Sequence, residues 1–407
     1  MDRIIVAGGG VAGLRAAETL RERGYAGELI LLGEETHRTY QRPPLSKALL
    51  AGTMEPEACG LRDSGAQIDW RLGCTATGLD LDARAISVDD GTKLSYDGLV
   101  IATGRRPRPW PGGLPELAGF HALRTLDDAL ALRAALAARP KVVIVGAGFI
   151  GCEVAATLRG QDLEVTVLEM GPLPLPALGP EIGRRAQALH TAHGVDLRLG
   201  VTVEGFAGDG RVRAVRLAGG EAIPADLVLL ALGSVPNTEW LQSSGIGLHR
   251  GAVLVDSGCA VPGTAGVVAA GDVAAWPHPH SDAPVSVEHW TNAGEMAIAA
   301  AANLLRAPAD REPFSPVPTF WSDQYEVKIK SAGLFGLADR QVVVEEETAD
   351  TGAGWRLVLE GHRGEQLVGA VTFNRNRSFI DYRRRIEQDL APRRDPASAG
   401  ARAPAPR

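Results

Sequence analysis

The stretch Arg3-Ile4-Ile5-Val6-Ala7-Gly8-Gly9-Gly10-Val11-Ala12-Gly13, continuing into Leu14-Arg15-Ala16-Ala17-Glu18-Thr19-Leu20, decides the fold. A β-branched run, a glycine turn and a segment of helical periodicity predict strand, tight turn and helix, the opening of a dinucleotide-binding unit. Gly8 allows the turn, Gly10 lets a pyrophosphate approach the backbone beside Val11 and Ala12, and Gly13 lets helix and strand pack closely. The helix N-terminus then faces the phosphates with its unpaired N–H groups. A second apolar run, Glu28 to Gly33, leads to Glu34-Glu35, where an acid can hold the adenosine ribose. Glu35 is favoured, with Glu34 as the alternate.

The same arrangement recurs further along. Lys141-Val142-Val143-Ile144-Val145 runs into Gly146-Ala147-Gly148-Phe149-Ile150-Gly151, and a later strand, Glu164 to Leu168, closes on Glu169. One such motif is weak, because glycine turns are common; two, each between strand and helix and each followed by an acid, are specific. Glu169 favours a free 2′-hydroxyl and would repel a 2′-phosphate. Two further echoes, Leu99 to Pro107 through Ala102-Thr103-Gly104, and Leu227 to Pro236 through Gly233, each place an apolar strand before a small-residue turn and a proline.

Composition limits what else the chain can be. Its 407 residues, 45% hydrophobic and 22% charged, suffice for two or three packed domains. Lys plus Arg total 42 against 49 for Asp plus Glu, and a net charge of −7 argues against nucleic-acid binding. Cys59, Cys74, Cys152 and Cys259 are far apart with no C-x-x-C pair, which reads as a reduced, cytoplasmic chain. Met1-Asp2-Arg3 leads straight into the first strand without a signal-peptide layout, and no apolar run approaches the roughly 18 residues of a membrane span. His278, His280 and His289 lack zinc-site spacing, so they are read as solvated loop histidines and no metal is expected.

Between the first ribose acid and the next helix lies Tyr40-Gln41-Arg42-Pro43-Pro44-Leu45-Ser46-Lys47. With Ala102-Thr103-Gly104, the second glycine motif continuing to Glu153, Ala270-Gly271-Asp272-Val273, Val287-Glu288-His289-Trp290-Thr291-Asn292-Ala293 and Phe320-Trp321-Ser322-Asp323-Gln324-Tyr325, the chain resembles the FAD-dependent NADH:ferredoxin reductases of bacterial oxygenase systems over residues 1 to about 390. The resemblance implies a glutathione-reductase-like α/β fold of two Rossmann-like domains plus a C-terminal α+β domain. FAD is expected at the first site, with Glu288, His289, Trp290 and Asp272 toward the flavin and Arg42 on the pyrophosphate or flavin rim. NADH is expected at the second, against Gly146, Gly148, Phe149, Ile150, Gly151 and Gly233. It also implies that Lys47 and Glu153 meet beside the reactive flavin edge as the catalytic pair. The related dithiol reductases need cysteines there; this chain has Pro44-Leu45-Ser46-Lys47, and Cys152 reads as packing.

The expected domains are 1–107 with 238–312 for FAD, 108–237 for NAD, and 313–390 as an antiparallel sheet closed by a helix around Arg384 to Leu390. The tail 391–407, rich in Pro, Ala and Arg, is expected to be disordered. The implied partner is a [2Fe-2S] ferredoxin feeding a cytochrome P450 or a ring-hydroxylating dioxygenase, docked transiently by a monomer or weak homodimer. Ferredoxins are usually acidic, so candidates for steering are Arg306, Arg311, Lys328, Lys330, Arg375, Arg377 and Arg383 to Arg385. A rubredoxin is the alternative acceptor, and an NADH-sensing flavoprotein resembling apoptosis-inducing factor is the alternative from another class.

Overall fold

The computed structural model describes residues 1–62, 64–347 and 355–390; the expectation for 391–407 lies outside the described residues. Among them are six α-helices: α1 (Val11–Glu22), α2 (Leu126–Leu136), α3 (Phe149–Arg159), α4 (Gly179–Ala192), α5 (Trp290–Leu304) and α6 (Asn376–Leu390).

Strand Arg3–Ala7 sits at the centre of a five-stranded parallel sheet, between Gly98–Ile101 on one side and Glu28–Gly33 on the other, with Val267–Ala269 and Asp69–Leu72 at the edges. Both faces are covered, which is why these strands are near-continuous apolar runs; Ile4, Ile5 and Val6 have no exposed surface. The second motif builds the same object. Val142–Val145 lies between Val165–Glu169 and Leu227–Leu230, flanked by Asp196–Leu199 and Phe120–His121, all parallel. The chain returns to the first sheet after completing the second, since Val267–Ala269 belongs to the first.

The two echoed segments prove to be partners. Arg105–Pro107 pairs antiparallel with Ser234–Pro236, joining the outgoing and returning chains between the two sheets. Asn237 locks the joint: its side-chain N–H donates to the Thr103 carbonyl at 2.9 Å, and its own carbonyl accepts from the Thr103 hydroxyl at 2.8 Å.

The C-terminal sheet is five-stranded and antiparallel: Thr319–Gln324, Val327–Gly333, Gln366–Phe373, Arg356–Arg363 and Arg340–Glu347 in spatial order. Its first strand lies at one edge of the sheet. It turns into the second through Tyr325, at φ 55°, and Glu326. The closing helix starts at Asn376, not near Arg384, because Phe379, Tyr382, Ile386 and Leu390 form one apolar stripe against Val317, Ala332 and Leu367. No helix of the described residues is long and apolar enough to cross a membrane.

Candidate functional site

A continuous cleft of about 1510 Å³ runs along the junction of the two parallel sheets and the C-terminal sheet. It exceeds the roughly 300–1,000 Å³ of ordinary small-molecule pockets. Both glycine turns open into it.

The turns use their glycines in the same way. At Gly8 (φ 128°) an added Cβ would lie 2.1 Å from the Ala102 carbonyl oxygen, and at Gly146 (φ 107°) 2.3 Å from that of Ala231. These close approaches tie each turn to its neighbouring strand and explain why Ala102-Thr103-Gly104 lies beside the first motif. A Cβ on Gly13 would sit 1.8 Å from Gly8 O, and one on Gly151 2.0 Å from Gly146 O. A Cβ on Gly10 or Gly148, in contrast, meets nothing within 4 Å. The protein does not need those two positions bare; a ligand approaching the N-termini of α1 and α3 does.

Gly8, Gly10, Val11, Ala12, Glu34, Glu35, Arg42, Lys47, Ala102, Thr103, Gly104, Asp272, Glu288, His289 and Trp290 all line the cleft, as do Gly148, Phe149, Ile150, Glu153 and Gly233. Gly13, Gly146, Gly151 and Glu169 are not on its wall. The first three shape the turns from behind. Glu169 ends its strand, half-buried, and accepts from the backbone N–H of Ala147 and of Gly171, both at 2.7 Å.

The two candidate ribose acids differ. Glu34 follows its strand directly and is exposed, whereas Glu35 is half-buried and already engaged. Its carboxylate accepts from Tyr40 Oη at 2.5 Å and from Arg42 Nη2 at 2.6 Å. Arg42 also donates to the Arg124 carbonyl at 2.5 Å. Arg124 in turn reaches Asp272 Oδ2 at 3.2 Å, and its backbone N–H donates to Asp128 of the α2 capping box. Arg124 is a wall residue that the sequence reading missed: it lies 82 residues from Arg42 and belongs to no motif.

Lys47 and Glu153 meet. Nζ lies 2.5 Å from Glu153 Oε2, which also accepts from Ser46 Oγ at 2.5 Å, while Oε1 accepts from Ser322 Oγ at 2.7 Å. Glu153 is 4% exposed, and a carboxylate so buried is tolerable because every neighbour donates to it. Ser46 and Ser322 lie inside two of the stretches quoted above, but the sequence does not single them out, since a serine does not announce which carboxylate it will serve. Arg105 and Ser234, at the two-stranded joint, both engage Glu288, at 3.3 and 2.5 Å.

The histidine reading needs correction. His278 and His280 are each 3% exposed, not solvated; His278 Nε2 donates to the Pro316 carbonyl at 3.0 Å. Burial lowers the pKa of both below the usual imidazole range. His289 packs against Phe320, and burial pushes it down to about 4, so its ring is neutral at pH 7. Cys152 is 2% exposed and its thiol donates to the Ala147 carbonyl at 3.4 Å; burial raises its pKa far above the thiol range. Among the described residues all four cysteines are unpaired, and Cys74 alone reaches the cleft.

The wall suits a long polar ligand. His289 Nδ1, Ser331 Oγ and Arg124 Nε are buried there without a protein hydrogen-bond partner among the described residues. With the two bare glycine positions, these are the features that FAD and NADH require, so the residues fit both groups.

The profile of the pyridine nucleotide-disulphide oxidoreductase family matches residues 2–297, and that of the reductase C-terminal domain matches residues 319–402. Rhodocoxin reductase of Rhodococcus erythropolis is 36% identical over 393 residues, covering 95% of this chain and 90% of that protein. The ferredoxin–NAD(+) reductase component of the biphenyl dioxygenase system of Paraburkholderia xenovorans is 41% identical over 338 residues, covering 82% and 81%. Among solved structures, putidaredoxin reductase in its covalent complex with putidaredoxin superposes with a TM-score of 0.87 at 32% identity, covering 98% of this chain and 96% of that one.

Proposed function

This chain belongs to the pyridine nucleotide-disulphide oxidoreductase family, and from that premise we propose that it is an FAD-dependent NADH:ferredoxin oxidoreductase. It passes electrons to a [2Fe-2S] ferredoxin that serves a cytochrome P450 or a ring-hydroxylating dioxygenase. The observation that carries this reading is one cleft in which two glycine cradles converge on the Lys47–Glu153 pair with no cysteine pair in between. Similarity to named ferredoxin–NAD(+) reductase components over more than four-fifths of the chain supports it.

When bound, FAD accepts hydride from NADH and returns the two electrons one at a time. The chain's residues do the rest. Gly8, Gly10 and the N-terminus of α1 receive the FAD pyrophosphate, with Arg42 held in place by Glu35. Glu34, whose carboxylate is exposed at the strand end, takes the adenosine ribose; this reverses the preference for Glu35, which is occupied. Asp272, oriented by Arg124, would accept from the ribityl hydroxyls, and Glu288, His289 and Trp290 on the same wall would help hold the ring. Gly148 and α3 receive the NADH pyrophosphate, while Glu169, fixed by Ala147 and Gly171, disfavours a 2′-phosphate. Lys47 and Glu153 set the electrostatics at the reacting edge.

For the carrier, we propose steering by the cations the fold leaves uncompensated. Arg306, Arg375, Arg383 and Arg385 pair with Glu312, Glu345, Glu295 and Glu360, respectively. Lys328, Arg377 and Arg384 form no ion pair among the described residues and are exposed, which makes them the better candidates; Arg311 and Lys330 form none either but are half-buried. The unpaired cysteines fit a reducing cytoplasm, and the docking is that of a monomer or weak homodimer with a transient partner. The test is NADH-driven reduction of a supplied [2Fe-2S] ferredoxin, read through cytochrome c. Rapid NADH oxidation with no electrons reaching ferredoxin or rubredoxin would overturn the reading.

A further inference from the structure

Glu153 is the end point of a line of hydrogen bonds that leaves the cleft and crosses to the far side of α4. Ser322 Oγ lies 2.7 Å from Glu153 Oε1, Gln324 Nε2 lies 3.1 Å from Ser322 Oγ, His190 Nε2 lies 3.0 Å from Gln324 Oε1, and Tyr325 Oη lies 3.1 Å from His190 Nδ1. Ser322 and Gln324 are 0% exposed and His190 2%, so no solvent competes for these bonds. The outer end is closed by His193, stacked on the Tyr325 ring at 3.6 Å.

The direction of every bond follows from one fact, that an ionised carboxylate only accepts. The Ser322 hydroxyl must give its hydrogen to Glu153, so its oxygen is free to accept from the Gln324 amide N–H. The Gln324 carbonyl then faces His190 Nε2, which must carry the ring hydrogen. That leaves Nδ1 as an acceptor for the Tyr325 hydroxyl. Reversing the line would demand a half-turn of a fully buried amide. Burial also holds His190 neutral, with a pKa down at about 4, as the assignment requires.

We propose that Tyr325, His190, Gln324 and Ser322 are positioning residues: a one-way chain of donors that fixes the orientation of the Glu153 carboxylate from the side opposite Lys47. The chain spans three elements: α3 carries Glu153, α4 carries His190, and the first hairpin of the C-terminal sheet carries the rest. Aligned donors polarise one another, and the last bond ends on a charge, where it is strongest. The inference rests on the reading that places Lys47 and Glu153 at the reacting edge of the flavin.

The test uses the flavin-loaded enzyme and two readouts besides turnover. In ¹⁵N-histidine spectra, His190 should carry its hydrogen on Nε2 at neutral pH; finding it on Nδ1 in the unaltered protein overturns the proposal without any variant. In redox titrations, Ser322→Ala and Gln324→Leu should move the flavin midpoint potential in the same direction as Glu153→Gln. Each should slow flavin reduction by NADH about tenfold, equivalent to ~1.4 kcal/mol, with little change in KM. Ser322→Thr, which keeps the hydroxyl, should restore both. If Glu153→Gln shifts the potential and neither Ser322→Ala nor Gln324→Leu does, the chain is only structural and the proposal fails. If Glu153→Gln shifts nothing, the placement of the pair at the flavin fails first.

Discussion

The Lys47 ammonium lies 2.5 Å from the Glu153 carboxylate, 106 residues away in sequence and contributed by the other dinucleotide-binding unit. The pair therefore exists only when both units are folded and apposed. Removing one partner leaves the other charged in a largely dry site, where the loss exceeds what any surface pair contributes.

Lys47→Ala is expected to slow hydride transfer from NADH by tenfold or more (~1.4 kcal/mol or above) and to destabilise the fold by about 2 kcal/mol. The stability loss is held down because Ser46 and Ser322 still donate to Glu153. Stopped-flow flavin reduction and chemical denaturation measure the two; unchanged transfer kinetics would remove the redox role of the pair.

The glycines separate folding from binding. Gly10 and Gly148 have φ of −79° and −74°, which alanine accepts, and open space where its Cβ would go. Gly10→Ala should fold normally and lose most of its FAD, while Gly148→Ala should retain FAD and raise KM for NADH about tenfold. Gly8→Ala and Gly146→Ala should instead lower the melting temperature, because they collide with backbone. Flavin absorbance, steady-state kinetics and thermal melts distinguish the three outcomes.

The ribose assignment is open to a direct comparison. Glu34→Ala should weaken FAD retention about tenfold, the cost of one or two hydrogen bonds to a charged acceptor. Glu35→Ala should act through Arg42, so that Arg42→Ala adds little to it. Equal and additive losses would put both acids on the cofactor.

Glu169→Ala should narrow the preference for NADH over NADPH about tenfold by removing the negative charge at the strand end behind the cleft, which would repel a 2′-phosphate bound at the second turn. Comparing kcat/KM for the two nucleotides checks this; an unchanged ratio would place the discrimination elsewhere.

Acid should destabilise the protein in a defined window. His190 and His289 are held down to about 4 by burial, against 6.5 in the unfolded chain. Between these values the unfolded state binds more protons at these two positions, so they lower stability progressively as pH drops from 6.5 toward 4. Urea midpoints across that range should show the slope, and His289→Asn should flatten it.

Much of the fold was legible because its signals are local. A glycine turn between a β-branched strand and a helix declares itself within a dozen residues, and two copies declare two cradles. Strand Thr319–Gln324 is hard to read from sequence because Ser322 and Gln324 point polar groups inward to serve Glu153 and His190, which breaks the alternation that marks a strand. The early start of α6 was missed because its stripe is sparse, and His278 and His280 looked solvated because neighbouring prolines mark a loop without saying what covers it.

What the sequence determined alone, then, is the pair of glycine turns, each between a strand and a helix, since steric demands on a turn act between neighbours in the chain. The tertiary structure decided everything that depends on apposition. It chose Glu35 rather than Glu34 to hold Arg42, brought Arg124 to Asp272, and surrounded Glu153 with donors from two distant segments, Ser46-Lys47 and Ser322. A buried charge must find its partners wherever packing brings them, and no spacing along the chain records that choice.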